Sequence, residues 1–292
     1  MTFLICLPTF PLLLIVTYRI DKARTMPIGT SVFFVEKIVQ IHQNNNMIYI
    51  RICFLLLLCG TIFILPQKVM AGDLVQFHTS NIQFLRGNNY ELGESQRTTA
   101  TLEHANGWLY GDTYGFVDFV YSDGENSTYY GEISPRLSLG KITKKDMSYG
   151  IIKDILLSTT FEKARGQGPQ YLYGGAIDFN LSGFKFFKTN AYVHDSTQLD
   201  GKTWQVTLAW NRPLNVGRSK FLIEGFADLQ GHEGTSNSNQ LLVPRFLFDV
   251  GHALGTTENK LWAGVEYQYW HNKFGVDGVT ESAPQAQLKW IF

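Results

Sequence analysis

The sequence predicts an all-β protein, a transmembrane antiparallel β-barrel of about 12 strands that forms a single domain after a cleaved signal peptide. Three observations predict this fold. The last residues alternate with the period of a strand, and many similar short runs precede them. Aromatic residues make up 14% of the chain, although its mean hydropathy is only −0.07. Aromatic girdles around a polar interior give a membrane barrel this composition.

The final stretch, Pro284–Phe292, is the clearest of these alternating runs. Successive side chains of a strand point to opposite faces, so residues two apart share a face. One face holds Ala286, Leu288, Trp290 and Phe292, and the other holds Gln285, Gln287, Lys289 and Ile291. Such a strand either ends a soluble sheet or closes a barrel whose outer face meets lipid.

Eleven further runs between Leu74 and Tyr269 show strand-like patterning, separated by segments rich in Gly, Asn, Asp and Ser. The clearest are Tyr129–Leu139, Thr203–Asn211, Phe221–Leu229, Leu242–Val250 and Leu261–Tyr269. The weaker ones are Leu74–Leu85, Thr98–Leu109, Tyr110–Tyr121, Ile151–Lys163, Tyr171–Leu181 and Phe184–Val193. With the C-terminal strand they give the even strand number of single-chain bacterial barrels.

The alternation alone fits a soluble β-sandwich as well as a membrane barrel, because both bury one face of each strand. Aromatic residues lie at the ends of the apolar faces, where an interfacial girdle belongs. They include Trp204, Trp210, Tyr267, Tyr269 and Trp290. Together with an export signal, this placement favours the membrane barrel.

The N-terminal region carries the predicted export signal. Met47–Ala71 has the layout of a secretory signal peptide, with Arg51 before an apolar core and Val69-Met70-Ala71 as the cleavage site. Residues 1–46 are interpreted as an over-long N-terminus without an assigned fold, and residues 72–292 as the barrel. The alternatives left open are a membrane anchor through Phe3–Val16 and translation from Met1 rather than Met47.

Cleavage after Ala71 makes a direct prediction about the mature protein. N-terminal sequencing of the membrane-extracted protein should begin at Gly72 or within about two residues of it, because small residues precede the signal-peptidase site. A mature protein that retains Phe3–Val16 would contradict the predicted processing.

Cysteine and charge exclude several functional classes. Cys6, Cys53 and Cys59 all precede the predicted cleavage site, so the mature chain has no disulfide framework and no cysteine-based metal site. It keeps 19 of the 25 basic and 23 of the 25 acidic residues, a net charge of −4. Nucleic-acid binding requires a basic patch and is not predicted. Neither catalytic residues nor a metal site or cofactor is predicted.

One segment resembles a known family. The stretch Glu132–Lys141, continuing through Ile142–Gly150 and Ile151–Arg165, is similar to the Tsx-like nucleoside-specific outer-membrane channels, which include the OmpK phage-receptor proteins. Phe77–Thr79 and Gly115–Tyr121 also look similar. The resemblance covers most of the chain after Ala71. It implies a narrow, monomeric, twelve-stranded barrel that passes nucleosides and whose loops serve as receptors for phages or colicins.

The predicted inward faces supply the groups that a nucleoside needs, namely aromatic faces for the base and hydrogen-bonding groups for the ribose. The predicted pore aromatics are Tyr114, Phe116, Phe226 and Trp262. The predicted polar lining comprises Asp112, Asp118, Glu132, Arg136, Glu224, Asp228, Arg245, Asp249, Glu266 and Gln268. The alternatives are that the rings only fill the barrel wall and that the charges form ordinary wall salt bridges.

These observations lead to a functional hypothesis with two alternatives. The leading one is passive, selective uptake of nucleosides or similar small solutes by a monomeric, non-enzymatic barrel in the lipid of a Gram-negative outer membrane. The first alternative is a structural, adhesion or phage-receptor barrel with little transport. The second is an outer-membrane lipid-modifying enzyme that uses His78 and Ser80, which share one face of the first strand.

Overall fold

The computed structural model describes residues 74–122 and 127–292. The predictions for residues 1–46 and for the signal peptide, 47–71, lie outside these ranges. Among the described residues, no helix has both the length and the hydrophobicity to span a bilayer.

Strands make up most of the described chain. They are β1 (Val75–Gly87), β2 (Arg97–Trp108), β3 (Gly111–Ser122), β4 (Thr128–Ser138), β5 (Ile152–Ala164), β6 (Gln170–Phe179), β7 (Phe186–Ser196), β8 (Thr203–Val216), β9 (Ser219–Gln230), β10 (Asn239–Asp249), β11 (Leu261–His271) and β12 (Thr280–Ile291). The short helices are α1 (Leu139–Thr143), α2 (Val250–Ala253) and a 3₁₀ turn at Lys273–Gly275.

The twelve strands form one closed antiparallel barrel. Each strand pairs with its successor, and β12 pairs with β1 to close the ring, with Ile82 opposite Trp290 and Phe84 opposite Leu288. Closure leaves no strand edge unpaired, which is the requirement for strands that cross a bilayer. The predicted fold class, an antiparallel β-barrel of about 12 strands, is therefore confirmed.

Burial along β12 shows which face points inward. Its polar residues are buried, with Gln285 3% and Lys289 4% exposed, whereas Leu288 and Trp290 are 45% and 56% exposed. A soluble sandwich buries its apolar face instead. The polar-inside, apolar-outside arrangement is that of a membrane-spanning barrel.

Aromatic residues mark both ends of the exposed outer face. Trp204 and Tyr269 lie near one end, and Trp290 and Phe292 near the other. We call the end where β1 begins and β12 finishes the terminal end, and the opposite end the loop end. The aromatic residues at the two ends match the predicted girdle and define an apolar band between them.

Two strands end earlier than their apolar patterns predict. Leu139, predicted to finish a strand, begins α1 because the Ser138 hydroxyl accepts the Lys141 backbone N–H at 3.0 Å. Val250 begins α2 for the same reason, since the Asp249 carboxylate accepts the His252 N–H at 2.9 Å. A side chain that satisfies a free N–H in this way stabilises the first turn of a helix.

Candidate functional site

The inner face of the barrel is the candidate functional site, because the strands direct their polar side chains there. All of the predicted aromatic and polar lining residues lie on strands, at inward positions of the alternating pattern. The structure gathers most of them into two ion-paired clusters, a row of aromatic rings and a group of carboxylates.

The first cluster surrounds Arg136, which is only 4% exposed. Its guanidinium donates to both oxygens of Asp112, at 2.8 and 2.5 Å, and to both oxygens of Asp178, at 2.8 and 3.2 Å. Lys188 also reaches Asp112, at 3.1 Å. Two bidentate pairs hold a planar guanidinium in one orientation. This Arg136 cluster ties together β3, β4, β6 and β7.

The second cluster surrounds Arg245 and Lys289. Arg245 donates to Glu266 at 2.5 Å, and Lys289 donates to Glu224 at 2.6 Å. Lys289 also lies 3.9 Å from Glu103. Because Glu224 is on β9 and Glu103 on β2, the Lys289 side chain joins strands that do not pair with each other. This Arg245 cluster therefore spans part of the lumen.

Aromatic rings form a row on β3 and β4. The Tyr114 and Phe116 ring centroids are 6.0 Å apart, and those of Phe116 and Tyr130 are 5.8 Å apart. The Tyr114 hydroxyl donates to Glu103 at 3.0 Å, and the Tyr130 hydroxyl to Glu132 at 2.5 Å. The row thus presents ring faces beside polar groups, and Tyr130 is a member that the sequence did not single out.

The two remaining predicted aromatics have different surroundings. Phe226 lies on β9 between Glu224 and Asp228, at an inward position. Trp262 is 4% exposed and packs against Leu222 and Leu247 in a small apolar cluster. Its indole N–H is buried without a hydrogen-bond partner within the described ranges. The surroundings of Phe226, which include two carboxylates, therefore resemble those of the aromatic row. The apolar surroundings of Trp262 do not.

Four inward carboxylates form a separate group nearer the loop end. Asp118 accepts from Thr101 at 2.5 Å and Asp228 accepts from Thr207 at 2.5 Å. The group consists of Asp118, Glu132, Glu162 and Asp228. Glu132 and Glu162 are direct register partners on β4 and β5.

Of the other predicted lining residues, Asp249 has a structural role in the barrel wall. It is fully buried, and besides capping α2 it accepts the Asn259 N–H at 2.7 Å. Gln268 donates to Glu281 at 2.6 Å, close to the loop end. Asp249 therefore stabilises the connection after β10 at the terminal end, whereas Gln268 joins β11 to β12 near the loop end.

Buried ion pairs also secure the loop end. Lys273 is 1% exposed, pairs with Glu281 and lies 5.7 Å from the Tyr90 ring centroid. Burial raises the pKa of the Tyr90 phenol well above its usual range, so this ring stays neutral. His194 contacts Glu233 at 2.6 Å, and both are nearly inaccessible to solvent. These contacts hold segments 88–96, 231–238 and 272–279 against the barrel mouth.

Several inward residues that shape the site were not predicted from the sequence. They are Glu103, Tyr130, Glu162, Asp178, Lys188, Asn190 and Lys289. Lys289 was placed on the polar face of the last strand but was not recognised as an ion-pair partner. Strict parity counting along the weaker runs would have found Glu103, Glu162 and Asp178, because each directly follows an apolar residue of its strand.

A family model described as the nucleoside-specific channel-forming protein Tsx matches residues 78–289. The chain belongs to the Tsx family. The resemblance predicted from Glu132–Arg165 is therefore confirmed, and this Tsx-family barrel is a channel for small solutes in a Gram-negative outer membrane.

Solved structures with a similar course of strands are distant in sequence from this Tsx-family channel. The KdgM porin is 9% identical, with a TM-score of 0.45, and the match covers 73% of this chain and 99% of the porin. The outer-membrane protein Omp33 of Acinetobacter baumannii is 11% identical, with a TM-score of 0.33 and coverage of 76% and 100%. No curated protein matches the chain.

The enzyme alternative receives little support from the geometry. Ser80 lies 2.8 Å from His104 rather than from the predicted His78, and Ser80 and His104 are cross-strand partners on the outer face. Hydrolytic triads also need a third group that orients the histidine ring, and within the described residues the His104 ring has Ser80 as its side-chain partner. Family and fold are those of channels, and the absence of enzymatic activity stays a prediction.

Proposed function

We propose that this Tsx-family channel passes nucleosides selectively, by letting the base contact the inward aromatic rings while the ribose exchanges hydrogen bonds with the polar wall. The observation that carries the proposal is the row formed by Tyr114, Phe116 and Tyr130, whose rings line the inner face beside Glu103 and Glu132. A flat base and a hydroxylated sugar match this pairing of rings and acceptors.

The ion-paired clusters support selectivity for a compact solute. Arg136 and Lys289 extend from the wall to partners on strands that are not their neighbours, which narrows the lumen. A narrow lumen with many hydrogen-bonding groups favours solutes that exchange bonds with its wall over solutes that only diffuse through it. Receptor activity for phages or colicins at the loop end and the monomeric state stay predictions.

Liposome swelling tests the proposal. Proteoliposomes that contain the membrane-extracted channel should swell faster in a nucleoside than in an uncharged sugar of equal size, because only the nucleoside carries a flat aromatic ring. Equal rates would contradict nucleoside selectivity. Swelling that does not exceed that of empty liposomes in either solute would favour the receptor alternative.

Removal of a single ring should weaken nucleoside binding measurably. Stacking contributes about 1–3 kcal/mol for each base, so Phe116→Ala or Phe226→Ala should weaken nucleoside block of the ion current by about tenfold, at ~1.4 kcal/mol for each decade. The ion current without nucleoside should stay constant or increase, since each substitution enlarges the lumen.

The matched control is Phe119→Ala, because Phe119 lies on the same strand as Phe116 but is 38% exposed on the outer face. It should leave nucleoside block unchanged. If Phe116→Ala and Phe226→Ala also keep the original block, the aromatic row does not bind the base.

A further inference from the structure

Four basic residues of the inner face pair with carboxylates, whereas Arg97, at an inward position close to the loop end, donates to backbone carbonyls of segment 88–96. Arg136 and Lys188 pair with Asp112 in the first cluster. Arg245 and Lys289 pair with carboxylates in the second cluster, Arg245 with Glu266 at 2.5 Å and Lys289 with Glu224 at 2.6 Å. Their positive charges are therefore balanced within the two clusters.

The negative charges of the four carboxylates nearer the loop end are not balanced by ion pairs. Throughout the described ranges, Asp118, Glu132, Glu162 and Asp228 take part in no ion pair. Three of them accept hydrogen bonds from the hydroxyls of Thr101, Tyr130 and Thr207. A neutral hydroxyl orients a carboxylate but does not cancel its charge.

The fourth carboxylate, Glu162, is 8% exposed and points to the inner face. Its direct partner across the β4–β5 ladder is Glu132. Like charges directly opposite each other on neighbouring strands destabilise a sheet. The pairing of Glu132 with Glu162 costs stability, and no cation in the described chain forms an ion pair with either residue. This indicates that the two charges act on solutes that pass along the lumen.

Three strands carry an unpaired carboxylate and an ion-paired residue in the same order between the two ends of the barrel. On β3, β4 and β9, the unpaired carboxylate lies nearer the loop end than the ion-paired residue of the same strand. The three pairs are Asp118 with Asp112, Glu132 with Arg136 and Asp228 with Glu224. A solute that enters from the loop end therefore meets uncompensated negative charge before it meets the neutralised clusters.

We propose that these four carboxylates make the channel selective for cations over anions, with Glu132 and Glu162 as the main determinants. The carboxylates act through their electrostatic field and not as a metal-coordination site. No group of three or more His, Cys, Asp or Glu residues with metal-binding geometry occurs in residues 74–122 and 127–292. Charges of one sign that line a low-dielectric passage concentrate counter-ions and repel ions of their own sign.

The proposal rests on the channel function of the family but is independent of nucleoside selectivity. It narrows the proposed substrates to uncharged nucleosides, because a phosphorylated nucleoside carries negative charge and should cross more slowly than the uncharged nucleoside. The aromatic row would still contact its base, so the discrimination would come from the carboxylates alone.

Reversal potentials in a KCl gradient across a planar bilayer test the proposal. The channel should favour K⁺ over Cl⁻, and Glu132→Gln combined with Glu162→Gln should lower the K⁺/Cl⁻ permeability ratio by about fivefold, which corresponds to ~1 kcal/mol. Glutamine keeps the size and the hydrogen-bonding capacity of glutamate, so the fold should be retained.

The matched control combines Glu94→Gln with Glu258→Gln. Both residues are exposed and lie in connections outside the strands, so the same net charge is removed without a change to the inner face of the strands. This variant should keep the original permeability ratio. An original channel without cation preference, a channel that does not conduct, or an equal loss of preference in both double variants would overturn the proposal.

Nucleoside swelling of the same proteoliposomes separates this proposal from the preceding one. If cation preference is present and nucleosides cross no faster than sugars, only nucleoside selectivity is wrong. If nucleosides cross faster and the reversal potential shows no cation preference, only the role of the carboxylates is wrong.

Discussion

Replacement of Arg136 by methionine is expected to destabilise the barrel by about 3 kcal/mol, at the lower end of the range for breaking a buried ion pair. The substitution leaves Asp112 and Asp178 facing the inner wall without their shared guanidinium. We expect a loss of stability at the lower end of this range because Lys188 still pairs with Asp112 at 3.1 Å. Urea unfolding in lipid vesicles, followed by tryptophan fluorescence, measures the change.

Two further variants test whether the lost charge balance is the cause. Lys188→Met should cost much less, because Arg136 continues to hold Asp112 with two hydrogen bonds. Adding Asp112→Asn, Asp178→Asn and Lys188→Met to Arg136→Met should recover most of the stability, since replacing all the members of a buried ionic cluster by neutral groups is often close to neutral. A stable Arg136→Met variant would show that the cluster does not hold the wall together.

The second large effect is expected on the outer face. Phe246 is 51% exposed on β10 and stacks on Phe221 of the neighbouring strand, with ring centroids 5.3 Å apart. Phe246→Arg places a charge in the apolar band, which costs about 2–4 kcal/mol near the bilayer midplane. The free energy of unfolding in vesicles again measures it.

The control for this substitution is Thr207→Arg on the inner face. Thr207 donates to Asp228 at 2.5 Å, so an arginine there has a carboxylate partner and access to the lumen. It should cost much less stability than Phe246→Arg and should change the conductance instead. Equal losses from the two substitutions would contradict the assignment of inner and outer faces.

The alternating pattern was sufficient to predict the strands and their two faces. In β12, every second residue from Glu281 to Lys289 is buried, and the residues between them are exposed. Period-two parity is a local property, so it can be read from neighbouring residues without knowledge of the fold. For the same reason Arg136, Glu224 and Arg245 were assigned to the inner side from sequence alone.

Contacts between distant strands could not be predicted in the same way. Parity places Arg136 and Asp178 on inward faces, but only the closure and stagger of the barrel bring a β4 side chain to a β6 carboxylate. Lys289 reaches Glu224 on a strand that it does not pair with. Lys273 lies in a polar connecting segment, where burial of an ion pair has no signature in the local pattern.

Ring closure by β1 and β12 also has a consequence for biogenesis. The closing ladder pairs Asn81 with Ile291, so it joins strands that are far apart in the sequence. Contacts of large sequence separation are slow to form because they must overcome the entropy of closing a long loop. Until they form, β1 and β12 expose unsatisfied backbone groups that favour pairing with other chains. The unclosed barrel is therefore vulnerable to aggregation until β12 pairs with β1.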